Sequence, residues 1–407
     1  MSIDIDSLNG PQREAVVTTE GPLLVLAGAG SGKTRVLTYR IANILEQNLA
    51  APWEILAITF TNKAATEMRE RLAQLVGTRS RGMWVSTFHS MCVRMLRADA
   101  ERLGFTKNFT IYDTDDMKRL YKEIMAELNI DPKRFPINQL MNRISQAKND
   151  LVTPGNFDAH DPVGKVAERV YERLQERLRA ANAFDFDDLL LYGYLLLKNH
   201  EDVREAYQDR FRYLMVDEYQ DTNRAQYAIT QLLAAKRRNI MVVGDDDQSI
   251  YRFRGAKPEI MLHFKQDYPA AKQVLLDTNY RCTRLIVEGA CKVIENNKQR
   301  FAKKIQANKQ EGPPILHHKF RDQDEEYECV VDKIKTYREK GGSYRDIAIL
   351  FRTNTQPRKL VEELISEGIP FRMRDALPNL YDHWIVKDIF AYLHMARDMK
   401  KRTFCRS

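Results

Sequence analysis

One short glycine-rich stretch constrains the fold of this chain more than any other part of it. Its residues are Ala27, Gly28, Ala29, Gly30, Ser31, Gly32, Lys33 and Thr34. The apolar run Pro22–Leu26 predicts a buried strand before the stretch, and Arg35–Leu45 predicts a helix after it. A glycine loop between a strand and a helix directs backbone N–H groups and the positive end of the helix dipole at an anion. The stretch therefore predicts a phosphate-binding loop, or P-loop.

The last two residues of the loop carry the chemistry. In a P-loop, Lys33 reaches the β- and γ-phosphates of a nucleotide, and the Thr34 hydroxyl binds Mg²⁺. The loop begins with Ala27 where the general pattern has glycine, so it matches a relaxed form of that pattern. The alternative is that the glycines only cap a helix. The strand–loop–helix context favours phosphate binding.

Further apolar runs alternate with helical patterns along the chain. Strands are predicted at Ile55–Phe60 and Trp84–Ser90, and others begin at Tyr213, Asn239 and Gln273. This alternation predicts an α/β fold with a doubly wound parallel sheet. Ligands of such sheets bind beyond the carboxyl ends of the strands.

Four side chains fall at those carboxyl ends, namely Phe60, Asn62, Thr87 and His89. Small polar and aromatic groups there suit phosphate contacts and base stacking. Helix capping and core packing explain the same residues equally well, and position alone leaves both interpretations open.

An acidic pair follows another predicted strand. Asp217 is suited to hold Mg²⁺, and Glu218 is suited to orient a water molecule as general base. Such a pair is often only part of a turn. Together with the P-loop, however, it predicts hydrolysis of ATP.

Several later residues suit the same nucleotide or a neighbouring nucleic acid. Gln248 is placed to sense the γ-phosphate, and the loop after it interleaves Tyr251, Phe253 and Arg254, as expected where bases stack and phosphates pass. Tyr280 and Arg281 suit adenine and phosphate. Gln12 carries an amide able to pair with the adenine edge, although a surface glutamine is usually only solvated.

Between residues 113 and 183 helical periodicity replaces the strand signals, which predicts a helical insertion between two strands. Lys148 and the arginine-rich Val166–Arg179 either face nucleic acid or form a solvated surface.

Composition bounds the remaining possibilities. Lys and Arg number 64 against 56 Asp and Glu, giving a net charge of +8, which permits a polyanionic partner. No apolar run has the length of a membrane helix, and the first residues show no signal peptide. The five scattered cysteines suggest reduced thiols in a cytoplasmic protein.

Together these segments resemble superfamily 1 DNA helicases of the UvrD/Rep/PcrA type. The resemblance covers nearly the whole chain in the family's order, through Leu8–Val16, Ala27–Thr34, Thr59–Arg71, Val85–Ser90, Phe184–Leu190, Val216–Asn223, Val242–Ala256 and Thr278–Arg281. It implies a RecA-like P-loop NTPase that uses ATP and Mg²⁺ to move 3′ to 5′ on single-stranded DNA. It also implies unwinding of tailed duplex DNA by a monomer, in repair or replication.

The resemblance also implies roles for individual residues. Gln12 reads adenine, Tyr280 stacks on it, and Arg35 joins the nucleotide-binding set. Lys33, Thr34, Asp217 and Glu218 bind the phosphates, the metal and the attacking water, while Gln248 and Arg281 approach the γ-phosphate. The DNA path is lined by Phe60, Asn62, His89, Tyr251, Phe253 and Arg254. The family usually has Trp at Phe253 and often Ser at Cys282, so base stacking at Phe253 is expected to be weaker.

By the same resemblance the chain divides into subdomains. Subdomain 1A takes residues 1–112 and 184–282, 1B is the helical insertion 113–183, a partial second RecA-like lobe 2A takes 283–395, and 396–407 is an atypical tail. Within 2A, Asp346–Asn354 predicts a buried strand, Gln356–Glu367 a helix and Pro370–Met373 a short strand. The resemblance implies a chain truncated near the start of the family's 2B insertion.

Two functions from different classes follow. One is an ATP-driven helicase, and the other is an ATP- and DNA-binding fragment without processive unwinding. A metabolic P-loop kinase fits less well, because the aromatic residues of the DNA path and Asn279–Arg281 would then have no role.

Overall fold

The computed structural model describes residues 3–353 and 355–373, together with residues 388, 389, 392 and 393. The chain divides into two compact units, Met1–Ile315 and Leu316–Ser407. This division lies downstream of residue 283, where the sequence predicts the second lobe to begin. The predicted tail 396–407 lies outside the described residues.

The first unit is built on a parallel sheet. Its strands, with the short ones that accompany them, are β1 (Leu23–Ala27), β2 (Ile55–Thr59), β3 (Trp84–Thr87), β4 (Thr110–Ile111), β5 (Ala183–Phe184), β6 (Tyr213–Val216), β7 (Ile240–Gly244), β8 (Lys272–Leu276), β9 (Thr278–Asn279) and β10 (Gln306–Ala307). The main sheet has six strands in the order β3-β2-β6-β7-β1-β8, and all of its pairs are parallel. The predicted α/β class and the P-loop sheet are thus confirmed.

Helices lie before, between and after these strands. They are α1 (Gly10–Val17), α2 (Lys33–Glu46), α3 (Asn62–Val76), α4 (Phe88–Asp99), α5 (Thr114–Glu127), α6 (Ile137–Asn149), α7 (Pro162–Ala180), α8 (Phe186–Asn199), α9 (Glu201–Arg210), α10 (Arg224–Ala234), α11 (Pro258–Leu262), α12 (Phe264–Asp267), α13 (Arg284–Ile294), α14 (Gln323–Glu339) and α15 (Pro357–Ser366). The predicted strand Trp84–Ser90 ends early, because the Thr87 hydroxyl accepts the Ser90 N–H and starts α4.

The sheet separates two apolar cores. Alternate residues of a strand point to opposite faces, so Leu24 and Leu26 of β1 join one core while Leu23 and Val25 join the other. All five residues of β1 are buried. This double burial explains why β1 and its neighbour β7 are continuous apolar runs rather than alternating ones.

Helices α5, α6 and α7 form the predicted insertion, with their own apolar core. At its base β4 pairs with β5, two short strands that the sequence did not predict. Both interpretations of Lys148, as a nucleic-acid contact and as part of a solvated surface, are wrong. Its ammonium is fully buried and lies 2.7 Å from Asp185 and 2.8 Å from Asp188. A buried charge must be paired, and the carboxylates come from Asp185, which caps α8, and from Asp188 in its first turn.

The arginines of α7 also have partners within the insertion. Arg173 and Arg177 pair with acidic residues of α5, Glu127 and Glu123. These pairs hold two helices together, which favours the solvated-surface interpretation over a DNA contact for this part of α7.

The second unit contains α14 and α15, packed through Val331, Ile334, Leu360 and Leu364. The predicted helix Gln356–Glu367 is confirmed as α15. The buried strand predicted at Asp346–Asn354 is wrong for its described part, since residues 347–353 are irregular and Leu350 is 94% exposed. Residues 371–373 are not a strand either. A strand requires a hydrogen-bonding neighbour, and the described residues of this unit provide none.

Among the described residues, no helix combines the length and the apolar character that crossing a membrane requires.

Candidate active site and nucleic-acid cleft

The P-loop lies between the carboxyl end of β1 and the first turn of α2. Gly30 and Gly32 have φ angles of 65° and 91°, a left-handed backbone that glycine adopts without strain. A Cβ atom on Gly30 would lie 2.7 Å from the Cβ of Arg281. Glycine is therefore needed here for both conformation and space, and the close approach places Arg281 beside the loop.

Two side-chain amides hold this loop in place. Gln12 of α1 donates from Nε2 to the Ser31 carbonyl at 2.8 Å, while its Oε1 accepts the Asn9 N–H. Asn279 of β9 donates from Nδ2 to the Ala29 carbonyl at 2.6 Å. The sequence alone indicated no separate role for Asn279. The available signal was a polar residue ending a strand next to Tyr280 and Arg281.

The P-loop lysine meets the acidic pair that follows β6. Lys33 Nζ lies 2.8 Å from Glu218 Oε2. Burial, followed by the charge of Glu218, raises the pKa of Asp217 to about 6. Burial also acts to raise the pKa of Glu218, but the Lys33 ammonium and hydrogen bonds from Gln220 and Lys33 outweigh it, so that pKa lies below its ordinary value. Neighbouring carboxyl groups whose pKa values are shifted in opposite directions typically have different chemical tasks.

Gln220 is a site residue that sequence reasoning missed. Its Nε2 donates to Glu218 Oε2 at 2.9 Å, and its Oε1 accepts the backbone N–H of Asp245 at 3.0 Å. It is almost completely buried. This one amide therefore links the carboxylate after β6 to the loop after β7. Gln248 lies in that second loop, where its amide donates to the Asp245 carboxylate.

The loop after β7 also carries three adjacent carboxylates, Asp245, Asp246 and Asp247, whose oxygens lie within 4.8 Å of one another. They surround a buried lysine. Lys303 Nζ contacts all three, at 2.9 Å from Asp247, and Arg300 pairs with Asp247 at 2.7 Å. The cluster already holds two protein cations and is not a metal site. Lys303 was likewise missed, because its position in the sequence carries no local signal.

The remaining predicted nucleotide residues lie at the rim of the loop. The Tyr280 hydroxyl accepts a hydrogen bond from Asn9 Nδ2 at 2.7 Å, and its ring is 38% exposed. Arg35, in the first turn of α2, donates to the Ser7 hydroxyl at 2.7 Å.

The donor set fits a magnesium–nucleotide complex. The loop offers backbone N–H groups, a lysine and a helix N-terminus to phosphates. Thr34 and Asp217 offer the oxygen ligands that Mg²⁺ prefers. Within the described residues, the buried Ser31 hydroxyl and one buried oxygen of Asp221 have no hydrogen-bond partner, as expected where a ligand supplies it.

A separate cleft opens at the carboxyl ends of β2 and β3. It contains three of the predicted DNA residues, and its lining is Phe60, Thr61, Asn62, Thr87, His89, Ser90, Val93, Ile111, Phe186 and Leu189. Phe186, at the start of α8, is 55% exposed, and its ring meets that of His89 edge-on at 6.2 Å. Burial lowers the pKa of His89, which favours a neutral ring. The sequence alone did not predict Phe186 as a cleft residue. The only local signal for it was an aromatic residue between two acidic ones, Asp185 and Asp187.

An aromatic row extends the cleft toward the loop after β7. Phe60 stacks on Tyr251 at 5.5 Å, and Tyr251 meets Phe253 at 5.9 Å. Phe253 is 78% exposed. Arg254 ends the short turn Arg252–Arg254. The structure thus brings together Phe60, Asn62, His89, Tyr251 and Phe253, and it places the backbone of Arg254 beside them in the chain.

Comparison with known proteins gives concordant matches. Residues 8–269 match the UvrD/REP helicase N-terminal domain, and residues 274–406 match the UvrD-like helicase C-terminal domain. The ATP-dependent DNA helicase PcrA of Staphylococcus aureus is 44% identical over 397 residues, which are 97% of this chain and 54% of that protein. PcrA of Staphylococcus epidermidis is 45% identical over the same shares. The chain spans about half the length of the curated relatives it matches.

Proposed function

Because this chain belongs to the UvrD/Rep helicase family, we propose that it couples ATP hydrolysis to 3′-to-5′ movement on single-stranded DNA and to duplex unwinding. One observation carries the proposal. The loop after β7 begins at Asp245, bonded to Gln220 beside Glu218, and continues to Tyr251, stacked on Phe60 in the cleft. One short segment therefore connects the nucleotide site with the cleft, as coupling between two ligands requires.

In the nucleotide site we assign Lys33 to the β- and γ-phosphates. Thr34 and Asp217 hold Mg²⁺, which when bound neutralises phosphate charge. Glu218 orients the attacking water and accepts its proton. The other assigned residues are Gln12 and Tyr280 at adenine, Arg35 at the rim, and Gln248 and Arg281 at the γ-phosphate, with Ala27–Gly32 enclosing the phosphates.

The Lys33–Glu218 contact bears on this assignment. The Lys33 ammonium neutralises the Glu218 carboxylate at a distance of 2.8 Å. Phosphates are stronger competitors for a lysine than one carboxylate, because they carry more charge. Nucleotide binding should therefore draw Lys33 away and leave Glu218 ionised and able to accept a proton.

In the cleft we assign Phe60, Asn62, His89, Tyr251, Phe253 and Arg254 to single-stranded DNA, and we add Phe186. Aromatic rings stack on any base, so such a cleft binds without strong sequence preference. We further propose a monomer acting in the cytoplasm on single-stranded and tailed duplex DNA, in repair or replication. Its subdomains would be 1A (1–112 and 184–282), 1B (113–183) and 2A (283–395), followed by residues 396–407.

A second candidate function is an ATP- and DNA-binding module that hydrolyses ATP slowly without processive unwinding. The irregular segment 347–353 favours it. Helicases of this family close two sheet-based lobes around ATP, and the described residues of the second unit contain no sheet.

The test measures ATP hydrolysis by the purified chain with and without single-stranded DNA, alongside strand displacement on 3′-tailed and 5′-tailed duplexes. Lys33→Ala is the matched variant. It should weaken nucleotide binding and abolish turnover, because the phosphates lose their main cation. Unwinding of the 3′-tailed duplex alone supports the helicase, and DNA-stimulated hydrolysis without unwinding supports the second candidate. Unchanged ATP affinity and hydrolysis in Lys33→Ala would overturn the site assignment.

A further inference from the structure

We propose that Asn149, the last residue of α6 in the helical insertion, is a positioning residue that couples the DNA cleft to the carboxylate Glu218. The proposal rests on the proposed function and deepens it. It concerns transmission between the two sites, so Asn149 itself touches neither ligand.

The side-chain amide of Asn149 joins two other segments. Its Nδ2 donates to Asp187 Oδ1 at 2.8 Å and to the Ser145 carbonyl at 2.9 Å. Its Oδ1 accepts from Asn223 Nδ2 at 2.6 Å. The carboxylate of Asp187 can only accept here, so the orientation of the Asn149 amide is fixed by its partners. One side chain therefore holds α8 on one side and the start of α10 on the other.

The Asp187 end leads to the cleft. Asp187 is adjacent in sequence to Phe186, whose exposed ring lines the cleft and meets His89. Both residues lie in the first turn of α8. A base that displaces the Phe186 ring would shift that turn, and the hydrogen bond from Asn149 transmits the shift.

The Asn223 end leads to the nucleotide site. Glu218 opens a tight turn in which the Asp221 N–H donates to the Glu218 carbonyl at 3.0 Å. Asn223 follows that turn and caps α10 by accepting the Gln226 N–H at 2.9 Å. Glu218 has a φ angle of 50°, a conformation that costs energy in a residue other than glycine. A small movement at Asn223 can therefore change how this held backbone directs the Glu218 carboxylate.

The neighbouring residue makes a parallel connection. Asp150 pairs with Lys257, whose backbone N–H donates to the Thr222 carbonyl at 3.0 Å. Lys257 lies three residues beyond Arg254, at the end of the aromatic loop. The carboxyl end of α6 thus contacts the segments after β5, β6 and β7 together.

Simple docking of the insertion does not require Asn149. The adjacent Lys148 already anchors α6 to α8 through two buried ion pairs. Asn149 is only half-buried, and its bonds to Asp187 and Asn223 are weaker anchors than the two fully buried ion pairs of Lys148. The Asn149 amide fixes the orientation of α8 relative to the start of α10. Coupling between the cleft and Glu218 requires such a fixed orientation.

The experiment compares the parent chain with Asn149→Ala and with Asn223→Ser, which keeps a capping oxygen for α10 but removes the amide donor. The control is Asn156→Ala, an exposed asparagine of the same insertion that bonds locally to Thr153. The measurements are ATP turnover with and without single-stranded DNA, the KM for ATP, direct DNA affinity, and the thermal midpoint.

We expect the stimulation of turnover by DNA to fall by about fivefold or more in Asn149→Ala. Basal turnover, KM for ATP and DNA affinity should stay unchanged, and the thermal midpoint should fall only slightly, because the Lys148 ion pairs still hold α6 in place. Asn223→Ser should show the same loss, and the double variant no further loss, because both side chains form one hydrogen bond.

Stimulation equal to that of the parent would overturn the inference alone. Loss of basal turnover together with a lowered thermal midpoint would also overturn it, since Asn149 would then be a structural clamp. A parent chain that hydrolyses ATP without any stimulation by DNA would overturn the proposed coupling itself, and the inference with it.

Discussion

The nucleotide loops and the aromatic cleft are built in opposite ways. In the nucleotide loops the polar side chains are tied to one another, as in the contacts of Lys33 with Glu218, Gln12 with Ser31 and Gln220 with Asp245. In the cleft the side chains that we assign to DNA include exposed aromatic rings. Phe186 is 55% exposed and Phe253 is 78% exposed.

This difference matches the two tasks that we propose. A phosphate chain and its metal require fixed donors, and fixed donors stabilise developing charge without reorganisation. A DNA strand that moves must be held equally well at each step, which favours aromatic faces that accept any base. A single substitution in the nucleotide loops should therefore cause a large loss of ATP turnover. A single substitution in the cleft should cause only a partial loss of DNA affinity.

The largest effect is expected from Glu218→Gln. The amide cannot accept a proton from water, so turnover should fall about 10²–10⁴-fold, while ATP binding is retained because Lys33 no longer has an ionised competitor. Single-turnover hydrolysis and nucleotide titration measure the two effects. Glu176→Gln, which changes an exposed carboxylate of α7, is the matched control. Parent-like hydrolysis in Glu218→Gln would remove Glu218 from its proposed role.

The next largest effect is expected from the buried ion pairs of Lys148 with Asp185 and Asp188. Lys148→Met should lower the free energy of unfolding by about 3–5 kcal/mol, because it leaves the Asp185 and Asp188 carboxylates buried without a cation. Urea unfolding measures the loss, with the exposed Lys122→Met as control. Reduced DNA affinity at unchanged stability would instead restore the interpretation of Lys148 as a DNA contact.

The same buried cluster determines whether the stability of the folded chain rises or falls with pH. Burial, with the charge of Asp185, raises the pKa of Asp188 to about 7, so the folded chain keeps a proton that the unfolded chain has released. Stability should fall as the pH rises from about 4 to about 7. In Lys148→Met this fall should be steeper, because the cation that favours ionised carboxylates is gone.

The smallest effect is expected in the cleft. Phe253→Ala should weaken binding of single-stranded DNA by about 1–3 kcal/mol if a base stacks there, and basal ATP hydrolysis should persist. Fluorescence anisotropy at two salt concentrations measures the affinity. Phe253→Trp is the informative companion, because a larger ring should bind more tightly. An alanine variant with full affinity would exclude Phe253 from the DNA path.

Much of the architecture was predictable because its signals are local. Strands β1 and β6 are continuous apolar runs, and the P-loop glycines and the pair Asp217–Glu218 directly follow them. Parallel strands place such polar endings along one edge of a sheet. The order of motifs therefore predicted that the glycine loop and the acidic pair lie together at one edge of the sheet, as Lys33 and Glu218 do.

Other features depend on contacts between distant segments. The amides of Gln220 and Asn279 became site residues only because folding places them against Asp245 and Ala29. The exposed ring of Phe186 joined the cleft because α8 starts beside His89. No spacing within the sequence encodes these distances.

The sequence by itself determined the sheet, the phosphate loop and the acidic pair, because hydrophobic period, glycine and charge act over a few residues. Tertiary structure alone decided that Lys148 is a buried ion-pair partner and that residues 347–353 are not a strand. The physical reason is the same in both cases. A charge is buried only if another segment supplies its counter-charge, and an apolar run becomes a strand only if another strand accepts its hydrogen bonds.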